Sequence, residues 1–313
     1  MAQARGRHVI VVAGEALVDL VPGADGVLVP HPGGGPFNAA RTIARLEQPV
    51  TFLGRLSDDR FGREHEALLR ADGVDTGAVV TTAEPTTLAL AELDAAGAAG
   101  YRFYAAGTAA VGLRPEAALA ALPAGVVALH VGSLGLALEP LAQAVEATVD
   151  ALRDHALVVA DLNCRPAAAP DPAAYRARLR RVAARAHVVK ASDDDLAWLD
   201  PGAPPARTAR ALLGAGATLV LLTRGAAGAT ALPAGGGAVD VPAPAAAVVD
   251  TIGAGDAFGG AFVAWWCERR LGRPDLRDEG AVTEAVAFAC RVAARTCERP
   301  GAAPPRLAEL RGG

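Results

Sequence analysis

The stretch Asp250-Thr251-Ile252-Gly253-Ala254-Gly255-Asp256-Ala257-Phe258 places two glycines and a carboxylate at the head of an apolar run. An alternating Val-rich stretch ends at Val249, and the run from Ala257 through Trp266 has the apolar content of a buried helix. Gly253 to Gly255 are therefore expected to form its N-terminus, where free backbone N–H groups and the positive end of the helix dipole converge. An anion held there sits beside Asp256, which can take a proton from a hydroxyl attacking a phosphorus centre. The alternative is a capped helix, since an acidic residue in a first turn contributes about 0.3–1 kcal/mol without any catalysis.

A second region reads Gly33-Gly34-Gly35-Pro36-Phe37-Asn38-Ala39-Ala40, followed by Leu53-Gly54-Arg55-Leu56-Ser57-Asp58-Asp59-Arg60-Phe61-Gly62. In order and spacing the two regions resemble the signatures of the ribokinase or pfkB family of sugar kinases. The resemblance continues through Gly14-Glu15-Ala16-Leu17-Val18-Asp19, Asp161-Leu162-Asn163-Cys164-Arg165-Pro166, residues 190–195 and Thr223-Arg224-Gly225-Ala226-Ala227-Gly228. It covers essentially the whole chain and implies one ribokinase-like domain over residues 1–313, with lid strands inserted from about 18–30 and 87–104.

At 313 residues the chain can bury one large core, as one enlarged α/β domain with an appended piece or as two unequal domains. Its 52% hydrophobic content is inflated by alanine. A formal charge of -4 without a basic run argues against a nucleic-acid partner, because phosphate-backbone binding needs clustered Lys and Arg. Residues 9–13 are too short for a signal-peptide core, and no apolar run reaches membrane-spanning length, so a cytoplasmic protein without a membrane partner is expected. Cys164, Cys267, Cys290 and Cys297 lack C-x-x-C pairing and histidines at zinc-finger spacing, which predicts reduced, mostly buried thiols. Lys190 is the only lysine and is followed by Ala191 with no glycine before it, so no G-x-x-x-x-G-K-[ST] loop exists. A G-x-G-x-x-G fingerprint is also missing, leaving Gly253 to Gly255 as the phosphate site.

Short apolar runs at 8–12, 50–53, 126–131, 157–160, 187–189 and 218–222 read as strands. Segments 38–47, 59–71, 140–153 and 172–186 read as helices. Their alternation implies a doubly wound α/β core with a mostly parallel sheet covered on both faces. Residues 18–21 with 27–29, and 87–93 with 101–104, read as hairpins, with turn chemistry at 23–26 and 95–100. They suggest a small antiparallel β lid, which in the family covers the sugar and whose exposed face also suits a homodimer interface. Residues 166–172 and 201–205 read as surface connections.

The resemblance assigns roles. Asp19 accepts hydrogen bonds from sugar hydroxyls, although by itself it also fits a turn near Pro22 and Gly23. Gly33 and Gly34 let backbone approach the sugar, and Asn38 offers a donor and an acceptor; Pro36 in a first turn places Asn38 inside the helix, where a cap role is weak. Arg165 stabilises transferring charge or contacts substrate, with Asp161 or Asn163 orienting the site, and Leu162 replaces the family's usual proline. Lys190, Ser192, Thr223, Gly225 and Gly228 fall in the nucleotide-binding segments. Ser192 and Asp195 stand where the family commonly has Asn and Glu, so Asp195 either holds magnesium through water or belongs to an acidic helix start. The resemblance also implies a monovalent-cation site at the backbone carbonyls of Asp250 and Ile252 with residues 297–301, and with it potassium activation.

The expected reaction is transfer of the γ-phosphoryl group of Mg-ATP to a monosaccharide hydroxyl, with Asp256 as base and the Gly253, Ala254 and Gly255 amides on the phosphoryl oxygens. His31 to Asn38, Glu84-Pro85-Thr86-Thr87 and residues 104–108, including Tyr104 as a sugar contact, resemble bacterial fructokinases, which makes fructose the first choice of acceptor. Ala110 departs from the Asp that fructokinases often carry, and Arg41 resembles some phosphosugar kinases. The enzymatic alternative is a 2-keto-3-deoxygluconate kinase using Arg102 or Arg165 for the carboxylate. The alternative from another class is a sugar sensor that lost turnover through the changes at Ser192 and Asp195.

Overall fold

The structure, a computed structural model, describes residues 8–23, 25–93 and 99–311. Strand β1 (Val9–Ala13) shows why the main sheet is double-sided: Ile10 and Val12 enter one apolar core while Val11 and Ala13 enter the other. Strands β2 (Leu17–Pro22) and β3 (Leu28–Gly33) leave the core before helix α1 (Gly35–Arg45), β4 (Val50–Ser57), α2 (Arg60–Asp72) and β5 (Val79–Thr82). Strands β6 (Leu88–Leu93) and β7 (Ala99–Tyr104) return to the lid, followed by α3 (Pro115–Ala121), β8 (Val126–Gly132), α4 (Leu141–Leu152) and β9 (Leu157–Asp161). Then come α5 (Pro172–Arg185), β10 (Val188–Ser192), α6 (Asp193–Leu199), α7 (Pro205–Ala215), β11 (Leu219–Thr223), β12 (Ala229–Pro233) and β13 (Val239–Val241). Helices α8 (Ala254–Glu268), α9 (Glu279–Cys297) and α10 (Leu307–Leu310) close the described chain.

The large sheet runs β13-β12-β11-β10-β9-β8-β1-β4-β5, parallel from β11 to β5 with an antiparallel edge at β12 and β13. The expected doubly wound core is therefore present. One face packs Phe37, Phe262 and Trp266, and the other Leu141, Tyr175 and Leu179. The lid order is β3-β2-β6-β7: two antiparallel hairpins joined by a parallel β2–β6 pairing. It is thus mixed where the two hairpins meet. The second hairpin's turn was expected at 95–100, and residues 94–98 lie outside the described residues.

The Val-rich stretch before Asp250 is no strand. Strand β13 ends at Val241, and Val248 and Val249 are exposed. Pro242 and Pro244 remove ladder donors from that segment. Among the described residues no helix is long and apolar enough to cross a membrane.

Arg41, the residue reminiscent of phosphosugar kinases, has a structural job. Its Nε lies 2.7 Å from buried Asp72, which also holds Arg45 at 2.9 Å and Arg306 at 3.4 Å. Arg41 and Arg45 donate onward to the carbonyls of Ala302 and Pro304, tying the C-terminal segment to α1. Removing one partner of a buried pair strands the others' charge, so Asp72→Ala is expected to cost about 3–5 kcal/mol. The check is the urea midpoint at unchanged slope; a loss under about 1 kcal/mol would contradict the role given to Asp72.

Candidate active site

From β1 the sheet grows toward β4 and β5 on one side and toward β8, β9, β10 and β11 on the other. Loops after β1 and β8 therefore diverge, and open α/β sheets bind ligands in that crevice. A cavity of about 270 Å³ lies there. Its floor includes Glu15 after β1, Ser133 after β8 and Asn163 after β9. Gly34 and Asn38 of the α1 entry, Asp19 of β2, and Gly253, Gly255 and Asp256 of the α8 entry form its walls.

Gly253 caps α8 at φ 75°, a left-handed conformation that favours glycine. No side chain caps the helix there, so first-turn amides remain available for an anion. Ala254 departs from expectation, because its N–H donates to the Thr251 carbonyl at 3.3 Å and the residue does not line the cavity. Gly253 and Gly255 are the residues of that turn facing the space.

Asp256 is held from two sides. Asn38 Nδ2 donates to its Oδ2 at 2.9 Å, and Asn163 Nδ2 donates to its Oδ1 at 3.2 Å. Each carboxylate oxygen retains lone-pair capacity for a substrate hydroxyl. Burial raises the proton affinity of Asp256, opposed by the Asn38 hydrogen bond and by Lys190 and Arg165. A carboxylate raised in this way is better matched to accepting a proton near neutral pH. Asn38 Oδ1 is buried without a partner, an acceptor suited to a hydroxyl entering the cavity.

Two further carboxylates share the space. Burial raises Asp19 to about 6, with Arg165 opposing and Asp256 reinforcing the shift. Burial also raises Glu15 to about 7 against backbone and Ser133 hydrogen bonds. Glu15 accepts from the amides of Gly35 at 3.2 Å and Gly135 at 2.9 Å, joining the α1 entry to the loop after β8. Arg165 also lines the cavity, its Nη1 donating to the Cys164 carbonyl at 3.1 Å. Ser133 at φ 58° and Asn163 at φ 33° hold left-handed conformations unusual for their types, and such strain clusters where geometry is over-determined.

Gly33 does not line the cavity; it leaves room for the Asp19 carboxylate, against which any Cβ there would press. Tyr104 is a correction: it is exposed, and Tyr101 and Phe103 line the cavity. Alternation along β7 puts 101 and 103 on one face and 104 on the other. Glu15 lay inside a recognised motif without a role, and a carboxylate directly after a buried strand was the signal for it. Ser133 carried no motif at all.

The residues expected to meet a nucleotide lie along the same sheet edge. Ser192 and Thr223 are paired at the ends of β10 and β11, and Gly225 and Gly228 flank the turn into β12. Lys190 is buried rather than open to a nucleotide, with Nζ 2.9 Å from Asp161 Oδ2. Asp195 takes the second of its expected places, in the acidic start of α6. Its Oδ1 accepts from Cys164 N at 2.6 Å and its Oδ2 from Ser192 N at 2.8 Å, closing the capping box of α6. Each oxygen takes one backbone donor at the acidic helix start and, like those of Asp256, keeps lone-pair capacity. Among the described residues no group of three or more His, Cys, Asp or Glu side chains is placed to hold a metal ion. Asp195 thus supplies no chelating cluster, while its free lone pairs suit a magnesium-bound water. Asp250 Oδ1 accepts from Ile252 N at 3.0 Å and Oδ2 from Gly301 N at 2.8 Å, joining the α8 approach to the loop after α9.

Solved structures similar to this one include a fructokinase from Xylella fastidiosa with bound ATP, at TM-score 0.89 and 28% identity, covering 97% of each chain. A double-mutant fructokinase from Vibrio cholerae O395, bound to fructose, ADP and potassium ion, matches at TM-score 0.84 and 26% identity over 95% of this chain and 94% of its own. In sequence, a fructokinase of Rhizobium leguminosarum bv. trifolii is 35% identical over 260 residues, 82% of this chain and 78% of that protein. The pattern described as pfkB family carbohydrate kinase matches residues 8–309, and with that span the chain belongs to the pfkB family of carbohydrate kinases.

Proposed function

We propose that the protein transfers the terminal phosphoryl group of ATP to a hydroxyl of fructose. The observation that carries the choice of a neutral sugar is the charge of the cavity: Glu15, Asp19 and Asp256 face it against a single cation, Arg165. An anionic acceptor would meet three carboxylates there. The other arginines considered for a carboxylate or phosphate are committed elsewhere, Arg41 to Asp72 and Arg102 to Glu92 on the exposed lid. The fructokinase relatives point to the same sugar.

In this reading Asp19 and Asn38 orient hydroxyls, while Tyr101 and Phe103 of the lid cover the sugar and limit water. Asp256 takes the proton of the attacking hydroxyl as its oxygen bonds to phosphorus. The bond from phosphorus to the bridging oxygen breaks, and ADP departs with that electron pair. Amides of Gly253 and Gly255, with Arg165, face the developing charge on the phosphoryl oxygens. The nucleotide lies along Ser192, Thr223, Gly225 and Gly228, and magnesium enters with ATP as part of the substrate. Carbonyls of Asp250 and Ile252 beside residues 297–301 hold a monovalent cation, supported by the potassium in the Vibrio cholerae structure.

The exposed apolar lid residues Val27, Leu28, Val29 and Tyr104 support a homodimer formed through the lid. Sedimentation is expected to give a dimer at micromolar concentration, and a monomer throughout would remove that part. Four free cysteines suit the reducing cytoplasm.

Release of ADP is expected with fructose at a kcat/KM at least about tenfold above 2-keto-3-deoxygluconate or fructose 6-phosphate, the margin of one to two polar contacts. It is also expected to run faster in potassium than in sodium. Preference for an acidic sugar would overturn the choice of acceptor, and sugar binding without ADP release would favour a sensor. Asp256→Asn is expected to keep fructose affinity within a few-fold and to lose about 10²–10⁴ in kcat, the range for a missing general base. Substantial retained turnover would remove Asp256 from that role.

A further inference from the structure

Beneath the first turn of α8 lies a row of buried polar side chains outside the cavity lining. His130, Asp161 and Lys190 come from the adjacent strands β8, β9 and β10, all at most 4% exposed. Lys190 Nζ donates to Asp161 Oδ2 at 2.9 Å, with the two residues in register across the strands. The helix meets this row through glycine. A Cβ added at Gly255 would come 2.9 Å from Lys190 Nζ, and one added at Gly259 would come 2.9 Å from His130 Nε2.

Four titratable groups face the ammonium from four elements: Asp161 of β9, Asp195 of α6, Asp256 of α8 and His130 of β8. Burial favours the neutral amine, but the three carboxylates outweigh it and hold the Lys190 proton affinity above its ordinary value. His130 is kept neutral, pushed down to about 3 by burial and then by Lys190. Neither of its ring nitrogens has a partner, nor does Asp161 Oδ1. Lys190 is therefore the only cation in this layer, and Arg165 acts on Asp256 from the cavity side. In a chain that otherwise uses arginine for its fixed cations, the one lysine stands where its compact ammonium lies close beneath the helix backbone at Gly255.

We propose that Lys190 is a positioning residue for phosphoryl transfer. Its ammonium, set directly behind Gly255, supplies the buried positive charge that keeps Asp256 ionised and reinforces the anion-binding end of α8. It acts through the helix and touches neither sugar nor nucleotide. The inference rests on the kinase reading above.

The alternative is that Lys190 merely neutralises Asp161, and two variants separate these roles. Lys190→Met leaves Asp161 stranded and is expected to lower both the melting temperature and kcat. Lys190→Met with Asp161→Asn restores neutrality in the row, so its melting temperature is expected to recover. Its kcat is expected to stay at least about tenfold below wild type, with KM for ATP within about threefold, which marks loss of a transition-state interaction. The acidic limb of the Lys190→Met kcat/KM profile is expected to move to higher pH, because removing a cation makes Asp256 easier to protonate. Recovery of kcat together with stability, or an acidic limb that stays in place, would overturn the proposal. The double variant carries the test if the single one fails to fold. A wild type inactive with every sugar would defeat the kinase reading itself, whereas an active wild type beside a fully recovered double variant would defeat only the role of Lys190.

Discussion

The close approach of the α8 N-terminus to the edge of β8, β9 and β10 is the constraint on which the rest of the site depends. Glycines stand at the contact: Gly255 over Lys190 and Gly259 over His130. A side chain at either position would press on the Lys190 ammonium or the His130 ring and disturb the polar row beneath Asp256. Once the helix is seated, Asn38 from α1 and Asn163 from the end of β9 reach the same carboxylate. Three separate elements are thereby registered on one pair of oxygen atoms, and pre-organised geometry of this kind is what phosphoryl transfer demands.

Charge is divided into layers around that turn. The cavity side holds Glu15, Asp19 and Asp256 with Arg165, while the sheet side holds Asp161 with Lys190. Carboxylates raised by burial dominate where a polyol would bring hydroxyl donors. Positive charge and unpaired amides concentrate where an anion would arrive. Under the proposed reading, that separation would suit a neutral, hydroxyl-rich molecule beside a highly charged one.

Much of this was legible in the sequence because the deciding features are local. Alternating apolar runs and helical segments sufficed for the doubly wound sheet, and Gly253 to Asp256 marked the helix entry. What escaped depends on register and on long-range partners. Tyr104 and Tyr101 are exchanged by which face of β7 meets the cavity, a fact fixed by pairing with β6. Asp195 reads as an acidic helix start or a partner of magnesium-bound water, and its bond from Cys164, 31 residues earlier, has no local signal. Arg41 looked like a substrate residue until Asp72 closed on it from α2. The Val-rich run to Val249 carried the composition of a strand, but prolines at 242 and 244 left it without a ladder.

The most direct test of the central claim is a crystal structure of the protein with fructose and a non-hydrolysable ATP analogue. The account predicts the terminal phosphate on the amides of Gly253 and Gly255, with one fructose hydroxyl within about 3 Å of an Asp256 oxygen and directed at phosphorus. A terminal phosphate seated away from the α8 N-terminus, or a sugar whose hydroxyls all turn from Asp256, would contradict it.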